Sequence, residues 1–270
     1  MLRRRMRHFM AIMVTGLILA WSGVAQAAPP AKYAMASATT LASSGRSTWN
    51  TNMAIDAALP APHHPVRIIV IDPGHGGENE GAIGVAGIHE KHLTLSLGLR
   101  LAEVLRERHP DVHIVLTRED DQFVSLADRI AIANHLEADL FLSLHFNSST
   151  NPEAIGFESF WAGEYAEQES AKLGDDEDIR IRKQQVAPLA EHIANCFNWA
   201  MSERFDVLDR GVKEGDYTVL TRAEVPAVVL EFAFLSHAVE GLAATMPDQH
   251  DLMIEAVIEA IERFQYNPLP

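Results

Sequence analysis

A chain of 270 residues can bury one sizeable hydrophobic core, and its 47% hydrophobic and 22% charged residues are typical of a globular domain. The net charge of −15 argues against a nucleic-acid ligand, because such a surface repels phosphates. A single cysteine, Cys196, excludes both an intramolecular disulfide and a cysteine-rich zinc site. Apolar neighbours at helical spacing predict that this thiol is buried and unreactive.

The first 27 residues have the pattern of an export signal. Four arginines lie within residues 3–7, an apolar run covers residues 9–21, and Ala25-Gln26-Ala27 supplies the small residues that a signal peptidase reads. The apolar run is short for a bilayer span, and an uncleaved membrane anchor is the alternative. Cleavage would remove four arginines and no acidic residues, leaving a net charge of −19. We therefore predict a signal peptide, no stable membrane span after its cleavage, and a periplasmic or otherwise exported protein of the cell envelope.

Residues 28–65 are rich in Ala, Ser, Thr and Pro and lack a sustained apolar period. This composition predicts a flexible linker. A folded domain is predicted at residues 66–270. It begins with an apolar, β-branched run at residues 66–71, which indicates a buried strand.

Strands and helices are predicted to alternate after this first strand. Helical spacing of leucines and valines predicts helices at residues 90–108, 125–137, 186–205 and 251–264. Short apolar runs predict strands at residues 112–116, 140–144, 156–161, 217–220 and 227–230. The alternation indicates an α/β fold: a three-layer sandwich with a mostly parallel twisted sheet flanked by helices. Its functional site is expected at the carboxyl ends of the strands.

Residues 162–185 are polar and densely charged, and they interrupt this alternation. One interpretation is a solvated surface insertion. The alternative is a mobile flap beside the site, which an activator protein would release.

Three side chains that can bind a metal lie at the ends of predicted elements. His75 lies in the glycine-rich loop after the first strand, Glu90 begins the first helix, and His145 ends the third strand. Zinc binds nitrogen and oxygen ligands, and catalytic zinc sites use three protein ligands and keep one position open. These residues therefore predict a His₂Glu zinc site. Glu231 ends a strand at the same predicted edge and is the candidate to move a proton in amide hydrolysis, with a pKa that burial would raise.

Several polar residues around these four are given supporting roles. Asp72 is predicted either to orient the loop histidine or to accept hydrogen bonds in the turn. Arg118 and Arg129 are predicted to make structural hydrogen bonds, with binding of a substrate carboxylate as the alternative. Asn147 and Lys213 are expected to line the substrate groove.

Five motifs, in this order, resemble those of the zinc-dependent N-acetylmuramoyl-L-alanine amidases of the amidase_3 type. They are IVIDPGHGG, Glu90 at the start of a helix, LTRxxD, ADLFLSLHFNSS and VVLEFAFLSH. The resemblance spans about residues 66–264. It implies that His75, Glu90 and His145 bind zinc and that Glu231 is the catalytic glutamate. The implied reaction is hydrolysis of the amide between the lactyl group of N-acetylmuramic acid and L-alanine of peptidoglycan, for cell-wall remodelling or daughter-cell separation.

Two positions depart from the family pattern. Ala233 stands where glycine is usual, and His237 replaces an expected asparagine. We expect the first to alter packing near Glu231 and the second to perturb substrate contacts, but neither removes a ligand. Two other functions remain open: a zinc peptidase or amidohydrolase acting on another acylated amino acid, and an envelope-binding module without catalysis.

Overall fold

A six-stranded sheet runs through the middle of the computed structural model, which describes residues 62–85 and 87–267. The strands are β1 (Ile68–Pro73), β2 (His113–Leu116), β3 (Leu140–Asn147), β4 (Phe157–Trp161), β5 (Asp209–Glu214) and β6 (Ala227–Phe234). Their order in the sheet is β2-β1-β3-β6-β4-β5. The first four in this order are parallel, whereas β4 is antiparallel to β6 and parallel to β5. The predicted mostly parallel sheet is confirmed.

Helices cover both faces of this sheet. They are α1 (Glu90–Arg108), α2 (Leu126–His135), α3 (Tyr165–Leu173), α4 (Glu177–Arg204), α5 (Thr218–Thr221), α6 (Ala238–Ala243) and α7 (Pro247–Tyr266). The larger core lies between the sheet and α1, α4 and α7. A smaller core lies between the other face and α2 and α5. This arrangement is the predicted three-layer sandwich.

The central strands β3 and β6 are apolar on both faces, as strands covered by two helix layers must be. Leu142 and Leu230 point into the larger core, and Phe141 and Val229 point into the smaller one. Because side chains alternate along a strand, the residues that follow Phe141 and Val229 at intervals of two lie on the face of the smaller core. His145 and Glu231 are therefore on that face, and they are partners in the β3–β6 register.

Two of the strand predictions differ from the structure. The predicted strand at residues 217–220 is wrong, because this segment forms the short helix α5. The strand β5 was missed, because it lies at the sheet edge and its sequence DRGVKE has no apolar run. The strand β5 is defined by its backbone pairing with β4, and the hydropathy of the sequence does not reveal this pairing.

The charged segment at residues 162–185 is helical over most of its length. It contains all of α3 and the first turns of α4, which Asp176 caps by accepting a hydrogen bond from the backbone N–H of Ile179. Lys183 is buried and donates to Asp175 and Ser170. These hydrogen bonds order the segment internally, while most of its residues are exposed, as expected of a solvated surface insertion.

Residues 1–61, and with them the predicted signal peptide and most of the predicted linker, lie outside the described residues. At the end of the linker, the backbone N–H groups of His63 and His64 donate to the carbonyl of Gln265 in α7. None of the described helices has the length and apolarity to cross a membrane. Cys196 is buried in α4, and burial raises the pKa of its thiol to about 11, which confirms the unreactive cysteine.

Candidate metal centre and catalytic site

His75, Glu90 and His145 converge although they come from a loop, a helix and a strand. One potential ligand atom of each lies within 4.8 Å of those of the other two. Glu90 joins the two histidines: its Oε2 lies 3.0 Å from Nε2 of His75, and its Oε1 lies 3.0 Å from Nδ1 of His145. The two imidazole rings are edge to face, with centroids 4.8 Å apart. The structure therefore brings together the three side chains that the sequence predicts as ligands.

Glycines leave the space that this convergence needs. A Cβ atom on Gly74 would lie 2.3 Å from Cε1 of His145, so no larger residue fits there without moving the histidine. A Cβ atom on Gly81 would lie 2.7 Å from Oε2 of Glu90. His75 itself has φ of 62°, a left-handed conformation that is uncommon outside glycine. The glycine-rich loop thus allows close approach of three ligand-type side chains.

The orientation of His75 depends on Asn79 rather than on Asp72. Nδ1 of His75 lies 2.9 Å from the amide oxygen of Asn79, which leaves Nε2 directed at Glu90. The carboxylate of Asp72 is buried and accepts hydrogen bonds from the side chains of Thr117, Ser143 and Arg129. The prediction that Asp72 orients the histidine side chain is therefore wrong, and its contacts instead tie β1 to its neighbours.

Two buried arginines hold the loop that carries His75. Arg118 donates to the carbonyls of Pro73, Gly74, Lys91 and Asp120. Arg129 donates to Asp72 and to three carbonyls, including that of His75. Their predicted structural role is confirmed.

We expect Arg129→Met to lower the free energy of unfolding by about 3–5 kcal/mol, because it leaves the buried carboxylate of Asp72 without its cation. Both side chains are at most 3% exposed. The measurement is urea unfolding of the variant beside the parent protein. Arg100→Met is the matched control, since Arg100 is an exposed partner of Glu103 and its loss should change stability little. An equal effect of the two substitutions would contradict the role of Arg129.

Opposing influences set the protonation of Glu90 and His145. Burial alone would raise the pKa of Glu90, but hydrogen bonds with His145 and His75 outweigh it and hold that pKa well below its usual range. Burial alone would lower the pKa of His145, but the hydrogen bond with Glu90 and the charge of Glu231 raise it above its usual value. Without a metal, the carboxylate thus carries its negative charge and favours a proton on His145.

Glu231 faces this cluster from the neighbouring strand. Burial, with smaller contributions from the negative charges of Glu90 and Glu158, outweighs the opposing effect of His145 and raises the pKa of Glu231 to about 7. Its Oε2 atom is buried and has no hydrogen-bond partner among the described residues. An unpartnered buried carboxylate oxygen is costly unless something else occupies the site. Together with the His₂Glu donor set and the space beside Gly74 and Gly81, it fits a zinc ion with a water or substrate next to Glu231.

A cavity of about 480 Å³ opens over these residues on the face of the smaller core. His75, Glu90, His145 and Glu231 line its polar side, together with Asn147 as predicted. Large apolar side chains form the opposite wall, and three of them are substantially exposed: Phe123, Leu126 and Tyr217. A volume of this size accommodates part of a glycopeptide and leaves the rest outside.

Three other predictions about this region are not met. Lys213 does not line the cavity but donates to Glu158 beside it. His237 caps helix α6 by accepting from the backbone N–H of Glu240, so it has a structural role instead of a substrate contact. None of residues 162–185, all of which the structure describes, lines the cavity, and the geometry thus gives no support to a flap over the site.

The sequence profile of the Amidase_3 family, described as N-acetylmuramoyl-L-alanine amidase, matches residues 69–263. The chain belongs to this family. It is similar to the sporulation-specific N-acetylmuramoyl-L-alanine amidase of Bacillus subtilis, with 32% identity over 201 residues that cover 74% of this chain and 66% of that one. It is also similar to the Escherichia coli amidase AmiA, with 29% identity over 229 residues that cover 73% and 77% of the two chains.

A solved structure supports the same relationship. The N-acetylmuramoyl-L-alanine amidase from Clostridium difficile 630 superposes with a TM-score of 0.62 at 26% identity, over 74% of this chain and 96% of that one. The family, the α/β fold and a peptidoglycan amidase activity in cell-wall remodelling, each expected from the sequence motifs, are confirmed.

Sequence reasoning missed several residues that shape the site of this amidase. Asn79, which hydrogen-bonds His75, lies in a polar loop and carries no recognisable signal of its own. Tyr217 lines the cavity because α5 is a helix, whereas a strand was predicted there. Glu158 was assigned to an ordinary strand, yet its register partner in β6 is Glu231. Strand pairing identifies Glu158, whereas Asn79 and Tyr217 depend on the local conformation of their own segments.

Proposed function

We propose that this amidase binds a zinc ion through His75, Glu90 and His145 and uses Glu231 to move protons during hydrolysis of the lactyl–L-alanine amide. The observation that carries the proposal is the convergence of the His₂Glu set beside the half-buried Glu231, whose buried Oε2 atom has no partner among the described residues. When bound, zinc supplies an acidified water at neutral pH and polarises the amide carbonyl. The protein side chains transfer the protons and position the substrate.

Glu231 is suited to accept a proton and then return it. A carboxyl group with a pKa of about 7 exists in both protonation states near neutral pH, so it can act first as base and then as acid. Its position opposite His145 in the strand register places it beside the metal-binding residues. In this proposal Glu231 takes the proton of the attacking water and delivers it to the nitrogen of the departing L-alanine.

The remaining side chains position the substrate and exclude water from part of the site. Phe123, Leu126 and Tyr217 provide an apolar wall against which the methyl and ring groups of a muramoyl peptide can pack. Asn147 lines the polar side, and its amide nitrogen donates to Glu158 at 2.6 Å. This hydrogen bond fixes the direction of the Asn147 side chain before substrate arrives.

We further propose that the protein is exported and works outside the cytoplasmic membrane. The support is the charged, apolar and small-residue pattern of residues 1–27, together with a family whose substrate is the cell wall. The periplasmic location, the signal peptide and an activator protein remain predictions. Antibody detection of the protein in periplasmic and cytoplasmic fractions, with and without residues 1–27, tests the location.

The reaction is tested by digesting purified peptidoglycan and determining the masses of the products. Release of peptides that begin at L-alanine, lost on adding a chelator and restored by zinc, is the expected result. Cleavage within the peptides would support a zinc peptidase instead. Binding of peptidoglycan without cleavage, at full zinc occupancy, would support an envelope-binding module without catalysis. A free acylated amino acid serves as the comparison substrate. Its hydrolysis would support an amidohydrolase that acts on another acylated amino acid.

Zinc binding is expected to release protons and to weaken as the pH falls. A raised pKa keeps His145 protonated over more of the neutral range in the metal-free protein, and only the neutral imidazole binds a metal. The apparent affinity should therefore increase with pH until His145 is deprotonated in the free protein. Titration calorimetry in two buffers of different ionisation enthalpy measures the protons released. A heat that is independent of the buffer would contradict this protonation state.

A further inference from the structure

Two cations contact the buried carboxylate of Glu158 next to the catalytic residues, and neither cation has a role in the mechanism above. Oε2 of Glu158 on β4 accepts hydrogen bonds from Nε of Arg210, at 3.0 Å, and from Nζ of Lys213. Its Oε1 accepts from the amide of Asn147, which lines the cavity. We call Glu158, Arg210 and Lys213 the basic cluster.

The basic cluster shares the face of the sheet that carries the site. Glu158 is the register partner of Glu231 in the antiparallel β4–β6 pair, so the two side chains are neighbours on one face. Lys213 on β5 pairs in register with Phe160, two residues beyond Glu158 and hence on that same face. Adjacent strands are about 4.8 Å apart, and both cations lie on β5, two strands from Glu231 on β6.

The cluster has positive charge and hydrogen-bond donors left over. One carboxylate faces two cations, so the three side chains of the basic cluster sum to +1 in a chain with a net charge of −15. The side chains of Arg210 and Lys213 are 32% and 39% exposed, whereas that of Glu158 is 6% exposed. Arg129, the cation that lines the cavity itself, is already committed to Asp72 and backbone carbonyls. Among the described residues, Arg210 and Lys213 are therefore two cations beside the site that can still accept an anionic group.

The order of residues across the sheet matches the order of groups in the substrate. The metal-binding residues lie at β1 and β3, Glu231 follows on β6, and the basic cluster lies beyond it on β4 and β5. In the proposed function, on which this step rests, the carbonyl is held at the metal-binding residues and Glu231 serves the leaving nitrogen. The peptide attached to that nitrogen then extends toward β4 and β5. We propose that Arg210 and Lys213 bind a free carboxylate of this peptide, making the enzyme selective for acidic stem peptides.

The test compares two synthetic substrates that differ only in charge: N-acetylmuramoyl-L-alanyl-glutamate with free carboxylates, and its diamide. The full-length protein is expected to show about tenfold higher kcat/KM for the acid, mainly through a lower KM, as charge-assisted hydrogen bonds allow. Lys213→Gln and Arg210→Gln should each reduce this preference while leaving hydrolysis of the diamide unchanged. Lys213→Arg, which keeps the charge, should retain it.

A second substitution changes the preference in the opposite direction. Glu158→Gln keeps the shape of the side chain and removes the competing negative charge, so the preference for the acid should increase. Opposite shifts from Lys213→Gln and Glu158→Gln cannot both come from poor folding. Lys172→Gln is the matched control, because Lys172 is an exposed lysine paired with Glu169 on α3, away from the cluster.

Equal kcat/KM for acid and diamide in the parent protein, or a loss in Lys213→Gln that is the same for both substrates, would overturn the inference. Failure of the parent protein to cleave either substrate would count against the proposed function. In that case, binding of acid and diamide to the parent protein and to Lys213→Gln, measured by calorimetry, still decides the inference. Weaker binding of the acid alone in the variant supports it, and unchanged binding of the acid rejects it.

Discussion

Replacing Glu231 with glutamine is expected to lower kcat/KM on peptidoglycan fragments by about 10²- to 10⁴-fold, the range that one general acid–base group contributes. Glutamine has nearly the same shape but cannot accept the proton of the attacking water. Its amide also fills the position of Oε2, which is buried and unpartnered in this protein. The measurement is initial rate against substrate concentration, alongside zinc content determined by atomic emission.

The zinc content of Glu231→Gln should equal that of the parent protein, because Glu231 is not one of the three convergent residues. Glu203→Gln, at an exposed position on α4, is the matched control and should keep full activity. A Glu231→Gln protein that retained zinc and more than a tenth of the parent activity would rule out proton transfer by this residue. Loss of zinc in the same variant would instead reassign Glu231 to the metal site.

Replacing His145 with alanine is expected to remove both the metal and the activity. The change leaves two of the three ligands, and the chemistry that zinc supplies accounts for several kcal/mol of the barrier, or at least about a thousandfold in rate. It also removes one of the two histidines that hydrogen-bond the buried carboxylate of Glu90, which keeps His75 and the backbone N–H groups of Ala82 and Phe146 as partners. Zinc content and activity of the purified variant are the two readouts.

His92→Ala is the matched control for this experiment. His92 is an exposed histidine on α1, two residues after Glu90. It should retain both zinc and activity. A His145→Ala protein with full zinc content would show that the ligand set is wrong. A protein with no zinc but unchanged activity would show that hydrolysis does not depend on the metal.

The sequence by itself identified four side chains that converge in the structure and the order of most elements. His75, Glu90, His145 and Glu231 could be selected because each follows or begins an element with a clear apolar pattern. The carboxyl ends of parallel strands meet at one edge of a sheet, so side chains at those ends must lie near one another. The helix α1 was predicted with the bounds observed, because Leu93, Leu97 and Leu101 repeat at helical spacing and are all buried.

The polar environment of the centre was decided by tertiary structure alone. Arg129 lies more than 50 residues from each group it bonds in the His75 loop, and nothing in its local sequence indicates those partners. The edge strand β5 has no apolar run, yet its pairing with β4 brings Lys213 to Glu158. Glu158 in turn faces Glu231 only because β4 runs antiparallel to β6.

Hydrophobic contacts could be predicted from the sequence and polar contacts could not, because only the former recur with a regular period along the chain. Hydrophobic burial repeats with the period of a helix or strand and therefore leaves a pattern in the sequence. A hydrogen bond or ion pair between distant segments has no period, and its partners become neighbours only when register and strand direction are set. The sequence thus identified which four side chains converge. The tertiary structure decided which polar groups orient and surround them and shift their pKa values.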